Sequence, residues 1–267
     1  MITLVDNVEV GYDDVGTVQS GYPLVFLHAF PLNRTMWEPQ VSAFVAENRC
    51  ISVDARGFGE TTTNPPFSMA RYADDVVGVL DALGIDRAVV AGVSFGGYMA
   101  FAMWRKHADR IRALVLAGTH AGADTPEQVA RRLEMIEIAK TQGSTAIANL
   151  QITGVMGKTT RDRQPDTYDA VHRMMAQTNP DAIVGALQAM IDRPDSTPLL
   201  WSINVPTLIV VGEEDALTPP KMARAMHEGI RGSRLEILSE AGHLANIERP
   251  AAFNAVLSEF LSSLRYN

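Results

Sequence analysis

From Leu24 onward the chain alternates short, unbroken apolar runs with longer stretches of helical spacing. Leu24 to His28, behind Pro23, reads as a buried strand, as do Cys50 to Val53, Ala88 to Val93 and Ile111 to Leu116. Between them, Trp37 to Ala46 carries Trp37, Val41, Phe44 and Val45 at helical intervals. Ser68 caps a predicted helix that runs to about Leu83 and ends at Gly84, and Phe95 to Lys106 predicts another. Strands that are apolar at every position need cover on both faces, and β-α-β-α alternation provides it with helices. The pattern predicts an α/β fold with a mostly parallel central sheet flanked by helices.

The rhythm breaks near Gly118. From about His120 to Trp201 no strand pattern occurs; Asp124 or Thr125, followed by Pro126 and Glu127, starts a helix. Helical spacing recurs around Leu133 to Ala139, Ala146 to Ile152, Thr167 to Ala176 and Ala182 to Ile191. Strand and helix signals then resume: Pro206 to Val211, Pro220 to Glu228, Leu235 to Leu238 and Ala251 to Leu264. The expected organisation is one core domain, residues 1–119 and 202–267, with a helical cap, residues 120–201, inserted in it.

The strongest chemical signal is Gly92-Val93-Ser94-Phe95-Gly96-Gly97, a Gly-x-Ser-x-Gly motif between a predicted strand and a predicted helix. A serine on such a sharp turn is lifted above the sheet, at the positive end of the following helix. Small residues two places on either side let strand and helix pass closely. A serine hydroxyl needs a neighbouring base. Of the six histidines, His243 fits, in the loop Glu240-Ala241-Gly242-His243-Leu244 between the last strand and last helix. His107 and His227 fall among charged helix residues, His172 beside Arg173, and His120 at a strand end, where it is a weak candidate. The acid that orients the base is expected between the two, after a strand. Gly212-Glu213-Glu214-Asp215 offers three carboxylates, of which Asp215 is preferred as the one that can turn back toward the histidine. Two backbone N–H groups are expected to receive the oxyanion, those of Phe95 and Phe30. His28, before Phe30, is read as structural, and so is the loop Asp54-Ala55-Arg56-Gly57-Phe58-Gly59.

In this order the His28-Ala29-Phe30-Pro31 loop, Asp54-x-Arg56-Gly57-x-Gly59, the serine turn, Gly212-x-x-Asp215 and Gly242-His243 resemble the α/β-hydrolase superfamily over nearly the whole chain except the cap. Within it the sequence is similar to small carboxylesterases, 3-oxoadipate enol-lactonases and cofactor-free haloperoxidases or perhydrolases. The resemblance implies cleavage of a carboxylic ester through an acyl-enzyme on Ser94, His243 and Asp215, with no metal or organic cofactor. A lactonase or perhydrolase on the same residues is the alternative, and a low-turnover ligand receptor on the same fold is the reading from another class. Dehalogenases and epoxide hydrolases of the superfamily carry Asp where Ser94 stands. Ala29 departs from the family's usual glycine, and enol-lactonases often have Ser and Gly after the histidine.

Composition narrows the partners. A net charge of −8 and the lack of basic runs argue against nucleic acid and anionic lipid. The first residues lack a basic, then apolar, leader, and no run is long enough to span a bilayer, so a cytoplasmic location is expected. Cys50 is the one cysteine, in an apolar run, and reads as a small buried hydrophobe. The partner expected is a small-molecule ester or lactone; oligomeric state stays open. Leu217 and Leu244, beside the acid and the base, are expected to line an apolar pocket, with Phe30 and Phe95. The cap methionines Met135, Met156, Met174, Met175 and Met190 suit a roof or a core between helices. Arg131, Arg132, Arg161, Arg163 and Arg173 are read mostly as a solvated face, with one of them able to meet a substrate carboxylate.

Overall fold

The computed structural model describes residues 1–18 and 21–264. Eight strands form one sheet in the order β1-β2-β4-β3-β5-β6-β7-β8. They are β1 (Ile2–Val5), β2 (Val8–Val15), β3 (Leu24–Leu27), β4 (Cys50–Val53), β5 (Ala88–Val93), β6 (Ile111–Ala117), β7 (Thr207–Gly212) and β8 (Arg234–Leu238). From β4 to β8 along the sheet all neighbours run parallel; β1 pairs β2, and β2 pairs β4, antiparallel. This N-terminal hairpin turns at Asp6 and Asn7, both at positive φ, residue types that tolerate that region.

Successive strand residues point to opposite faces, and the core divides accordingly. In β3, Val25 and Leu27 belong to one apolar cluster, Leu24 and Phe26 to the other. The first face is covered by α2 (Met69–Ala82), α3 (Phe95–His107) and α8 (Pro220–Gly229). The second is covered by α1 (Glu38–Phe44) and α10 (Pro250–Ser263). Ser68 caps α2 as expected, its hydroxyl accepting the Arg71 N–H at 3.1 Å. Cys50 lies buried in β4, where burial pushes its thiol up to about 12, so it packs as an apolar residue.

Between β6 and β7 the chain is helical: α4 (Pro126–Val155), α5 (Lys158–Arg163), α6 (Pro165–Ala176) and α7 (Pro180–Ile191). Thr125 starts α4 with a capping box closed by Gln128. Gly143 (φ 76°) interrupts it. Gln151 Nε2 reaches Met135 Sδ at 3.2 Å, although 16 residues of straight helix would span about 24 Å. The two arms of α4 therefore fold back on each other at Gly143. No helix among the described residues is long and apolar enough to cross a membrane.

Candidate active site

The parallel strands direct the loops after β3, β5, β7 and β8 to one edge of the sheet, the carboxyl edge where open α/β sheets bind ligands. Ser94 stands between β5 and α3 at φ 54°, ψ −110°, a strained conformation for a residue with a side chain. The glycines around it are dictated by contact. A Cβ on Gly96 would lie 2.1 Å from the Leu27 carbonyl oxygen, and one on Gly92 2.3 Å from the Gly96 carbonyl carbon. Phe95 is the first residue of α3, so its N–H has no carbonyl one turn earlier and is turned outward from the helix end.

His243 and Asp215 are both buried, and His243 Nδ1 donates to Asp215 Oδ2 at 2.9 Å. The other carboxylate oxygen, Oδ1, accepts the N–H groups of Leu217 and Thr218, each at 2.9 Å, while the Thr218 hydroxyl donates to Oδ2 at 2.7 Å. Burial works to raise this carboxyl's pKa, but His243 and the donors from Thr218 outweigh it and hold Asp215 below its usual range. The two competing carboxylates face elsewhere. Glu213 is exposed, and Glu214 accepts the N–H and hydroxyl of Thr159 at 2.8 and 2.5 Å.

A residue the sequence reading passed over supports the histidine loop. Glu248, in the short helix α9 (Ala245–Glu248), is 1% exposed. Its carboxylate accepts the Leu244 N–H at 3.1 Å and the Gly157 N–H at 2.8 Å. Burial pushes its pKa up, against these hydrogen bonds. Gly157 and Gly242 touch backbone to backbone: a Cβ on Gly242 would sit 2.2 Å from the Gly157 nitrogen. The start of α5 is thus clamped to the loops that carry both Asp215 and His243.

The remaining histidines are committed. His28 is fully buried, accepts the Ala55 N–H at Nε2 (3.0 Å) and donates from Nδ1 to the Ala29 carbonyl (2.9 Å); burial lowers its pKa, so it is a neutral brace. The loop after β4 is likewise structural. Asp54 accepts the N–H groups of Arg34 and Glu60, and Arg56 forks onto Asp75 of α2 at 3.0 and 2.7 Å. His107 bonds Asp74, His227 bonds Ser233 and His172 bonds Asn149.

Ser94 and His243 open onto the same cavity, of about 180 Å³, with Phe30, Leu217 and Thr218 beside them. Three expectations are corrected here. Leu244 does not line the cavity: it is fully buried beneath the loop, in the core shared with α10. The Phe95 side chain is also fully buried, packed on Tyr72 and Phe58, so only its backbone faces the serine turn. The pocket is also not simply apolar. Its walls include Tyr98, His120, Gln128, Arg131, Arg132 and Gln151 together with Met135, Val155 and Met190. Met156 and Met175 fill core instead, and Arg161, Arg163 and Arg173 are exposed. His120 stacks edge-on to Tyr98 and accepts from Arg193 at 3.4 Å; burial and that guanidinium lower its pKa to about 4.

A capped parallel sheet with a strained serine turn at its carboxyl edge is the build of the α/β hydrolase class. A family model described as alpha/beta hydrolase fold matches residues 22–250, and the chain belongs to that family. Among solved structures it is similar to a thermophilic esterase from Thermogutta terrifontis, with 35% identity, 97% of this chain and 94% of that one covered, and a TM-score of 0.93. It is also similar to the enol-lactonase from Burkholderia xenovorans, with 28% identity, 98% and 100% covered, and a TM-score of 0.91. Among curated proteins, 3-oxoadipate enol-lactonase 1 of Acinetobacter baylyi is 27% identical over 91% of this chain and 89% of its own length.

Proposed function

We propose that the chain is a serine hydrolase of carboxylic esters. The observation that carries this reading is His243, bonded to the buried Asp215, lining the same cavity as Ser94, which is held on a strained turn. Ser94 Oγ attacks the substrate carbonyl, and His243 Nε2 takes its proton. Asp215 holds Nδ1–H and so keeps Nε2 free as the acceptor. The tetrahedral oxyanion is received by the N–H groups of Phe95, at the start of α3, and Phe30, in the loop after β3. His243 then protonates the departing alcohol, and water, activated by the same imidazole, releases the acid from Ser94. A lactone enters the same cycle, its alcohol remaining tethered to the acyl group. The similarity to an esterase and to enol-lactonases supports both substrate forms.

Hydrolysis of 4-nitrophenyl butyrate by the wild type and by Ser94→Ala tests the proposal. Turnover that disappears in the variant is expected. Equal turnover in both would remove Ser94 from the mechanism.

A further inference from the structure

Gln128, Arg131, Arg132 and Met135 are spaced i, i+3, i+4, i+7, one stripe of the first arm of α4, and all four line the cavity. Gln151 and Val155, spaced i, i+4, face it from the second arm. The lining thus holds two arginines and no aspartate or glutamate, in a chain whose net charge is −8.

The charge is fixed in place. Asp124, its side chain fully buried, is shared by Arg132 at 2.5 Å and Arg193 at 2.8 Å, so these three groups sum to one positive charge. Arg193 is anchored further by the carbonyls of Met190 and Gly122, at 2.6 and 3.0 Å, and lies over the Tyr98 ring. Arg132 gives Nε and Nη2 to Asp124 and leaves Nη1 beside the Met190 sulfur. Arg131 has no carboxylate partner among the described residues, so its whole donor fork is open at the cavity wall. A guanidinium that lines a cavity and has no carboxylate partner offers an anionic ligand paired, charge-assisted N–H bonds.

Building on the ester-hydrolase reading, we propose that the cavity takes an ester or lactone that also bears a carboxylate. Arg131 and Arg132 hold that carboxylate at the α4 wall while the reacting carbonyl lies at Ser94. Arg131 supplies the open fork, and Arg132 supplies a charge immobilised by Asp124. Gln128 and Gln151 add neutral polar groups to the same wall, and His120, with Nε2 occupied by Arg193, stays uncharged beside them.

Mono-4-nitrophenyl glutarate and its methyl ester share chain and leaving group and differ by one charge. The expected wild-type preference for the anion is about tenfold or more in kcat/KM, and it shrinks with added salt because Arg131 is exposed. Arg131→Gln lowers the preference about fivefold, and Arg131→Glu inverts it. Arg132→Gln lowers it too, with circular dichroism checking the fold because Asp124 then keeps only Arg193. Calorimetric titration with glutarate reads the subsite without turnover: binding by the wild type and its loss in Arg131→Glu are expected. Cleavage of both esters with equal kcat/KM overturns the carboxylate subsite and leaves the Ser94 chemistry standing. Cleavage of neither ester, with glutarate binding that depends on Arg131, supports the subsite and sinks the ester reading. Cleavage of neither and no glutarate binding overturns both.

Discussion

Asp215→Asn tests the proposed proton path most sharply, because the structure dictates which way the new amide points. Asp215 Oδ1 accepts two backbone N–H groups, from Leu217 and Thr218, and Oδ2 faces His243 Nδ1. An asparagine has one acceptor oxygen. Placed at the Oδ1 position it keeps both backbone bonds; flipped, it sets an NH2 group against two buried N–H donors, at about 1–3 kcal/mol each. The unflipped amide wins by about 2 kcal/mol or more, and its NH2 then points at His243 Nδ1. That nitrogen must become an acceptor, which moves the ring proton to Nε2 and blocks uptake of the Ser94 proton. The same exchange in serine proteases costs about 10⁴-fold in kcat, or about 5 kcal/mol of barrier, and a loss of this size is expected here. The assay is kcat for 4-nitrophenyl butyrate, with far-UV circular dichroism to verify folding. A folded Asp215→Asn variant within tenfold of the wild type would refute the tautomer argument. Stability carries a second signature. Because Asp215 titrates below its ordinary value when folded, the unfolded chain takes up its proton first on acidification. Its contribution is therefore present above the ordinary value of 3.8 and lost as pH falls through the depressed one; the Asn variant lacks that limb.

Other outcomes follow from the packing. Gly96→Ala sets a Cβ 2.1 Å from the Leu27 carbonyl oxygen, an overpacking of about 3 kcal/mol; a melting point within 1 °C of wild type, rather than about 6 °C or more lower, would contradict the contact argument. Glu248→Ala strips the acceptor from the Leu244 and Gly157 N–H groups, so urea melts should show a loss of about 2 kcal/mol or more and kcat should fall with the displaced His243 loop. Unchanged values for both would mean that Glu248 positions nothing. His120 has its pKa lowered from 6.5 to about 4 by burial and Arg193, so the unfolded chain binds the extra proton between those values and stability falls as pH drops. The wild type should lose about 2 kcal/mol between pH 7 and pH 5 through this group, and His120→Gln should flatten that part of the urea-melt profile.

The parallel sheet was legible because its inner strands are mostly apolar runs of four to seven residues between turn signals, and the loops of Ser94 and Asp215 follow directly from two of them, β5 and β7. The N-terminal hairpin was not read, although Val8, Val10 and Tyr12 point inward in alternation and Asp6-Asn7 is a turn pair. The short helices α5 and α9 give too few turns to show a periodic face. Leu244 was misplaced because adjacency in sequence does not fix direction: its N–H is pulled onto Glu248 and its side chain goes down into the core. The polar wall was missed for a related reason. The stripe from Gln128 to Met135 is visible in the spacing, but which stripe of a cap helix faces inward depends on how the helix docks. That in turn depends on the reversal at Gly143 and on a buried Asp124 that joins two arginines 61 positions apart in sequence.

The clamp between α5 and the loops of Asp215 and His243 has a consequence for how such an enzyme can diversify. In the proposed mechanism the groups for bond making and breaking come from the ends of β3, β5, β7 and β8, and the roof is pinned to those loops at one margin, by Glu214 on Thr159 and Glu248 on Gly157. The arginines and glutamines of the cavity wall come from α4, beyond that pinned margin. Changes along the α4 stripe can therefore exchange one clientele of molecules for another while the reacting apparatus keeps its alignment. Selection can act on recognition and on chemistry as nearly separate traits of one chain.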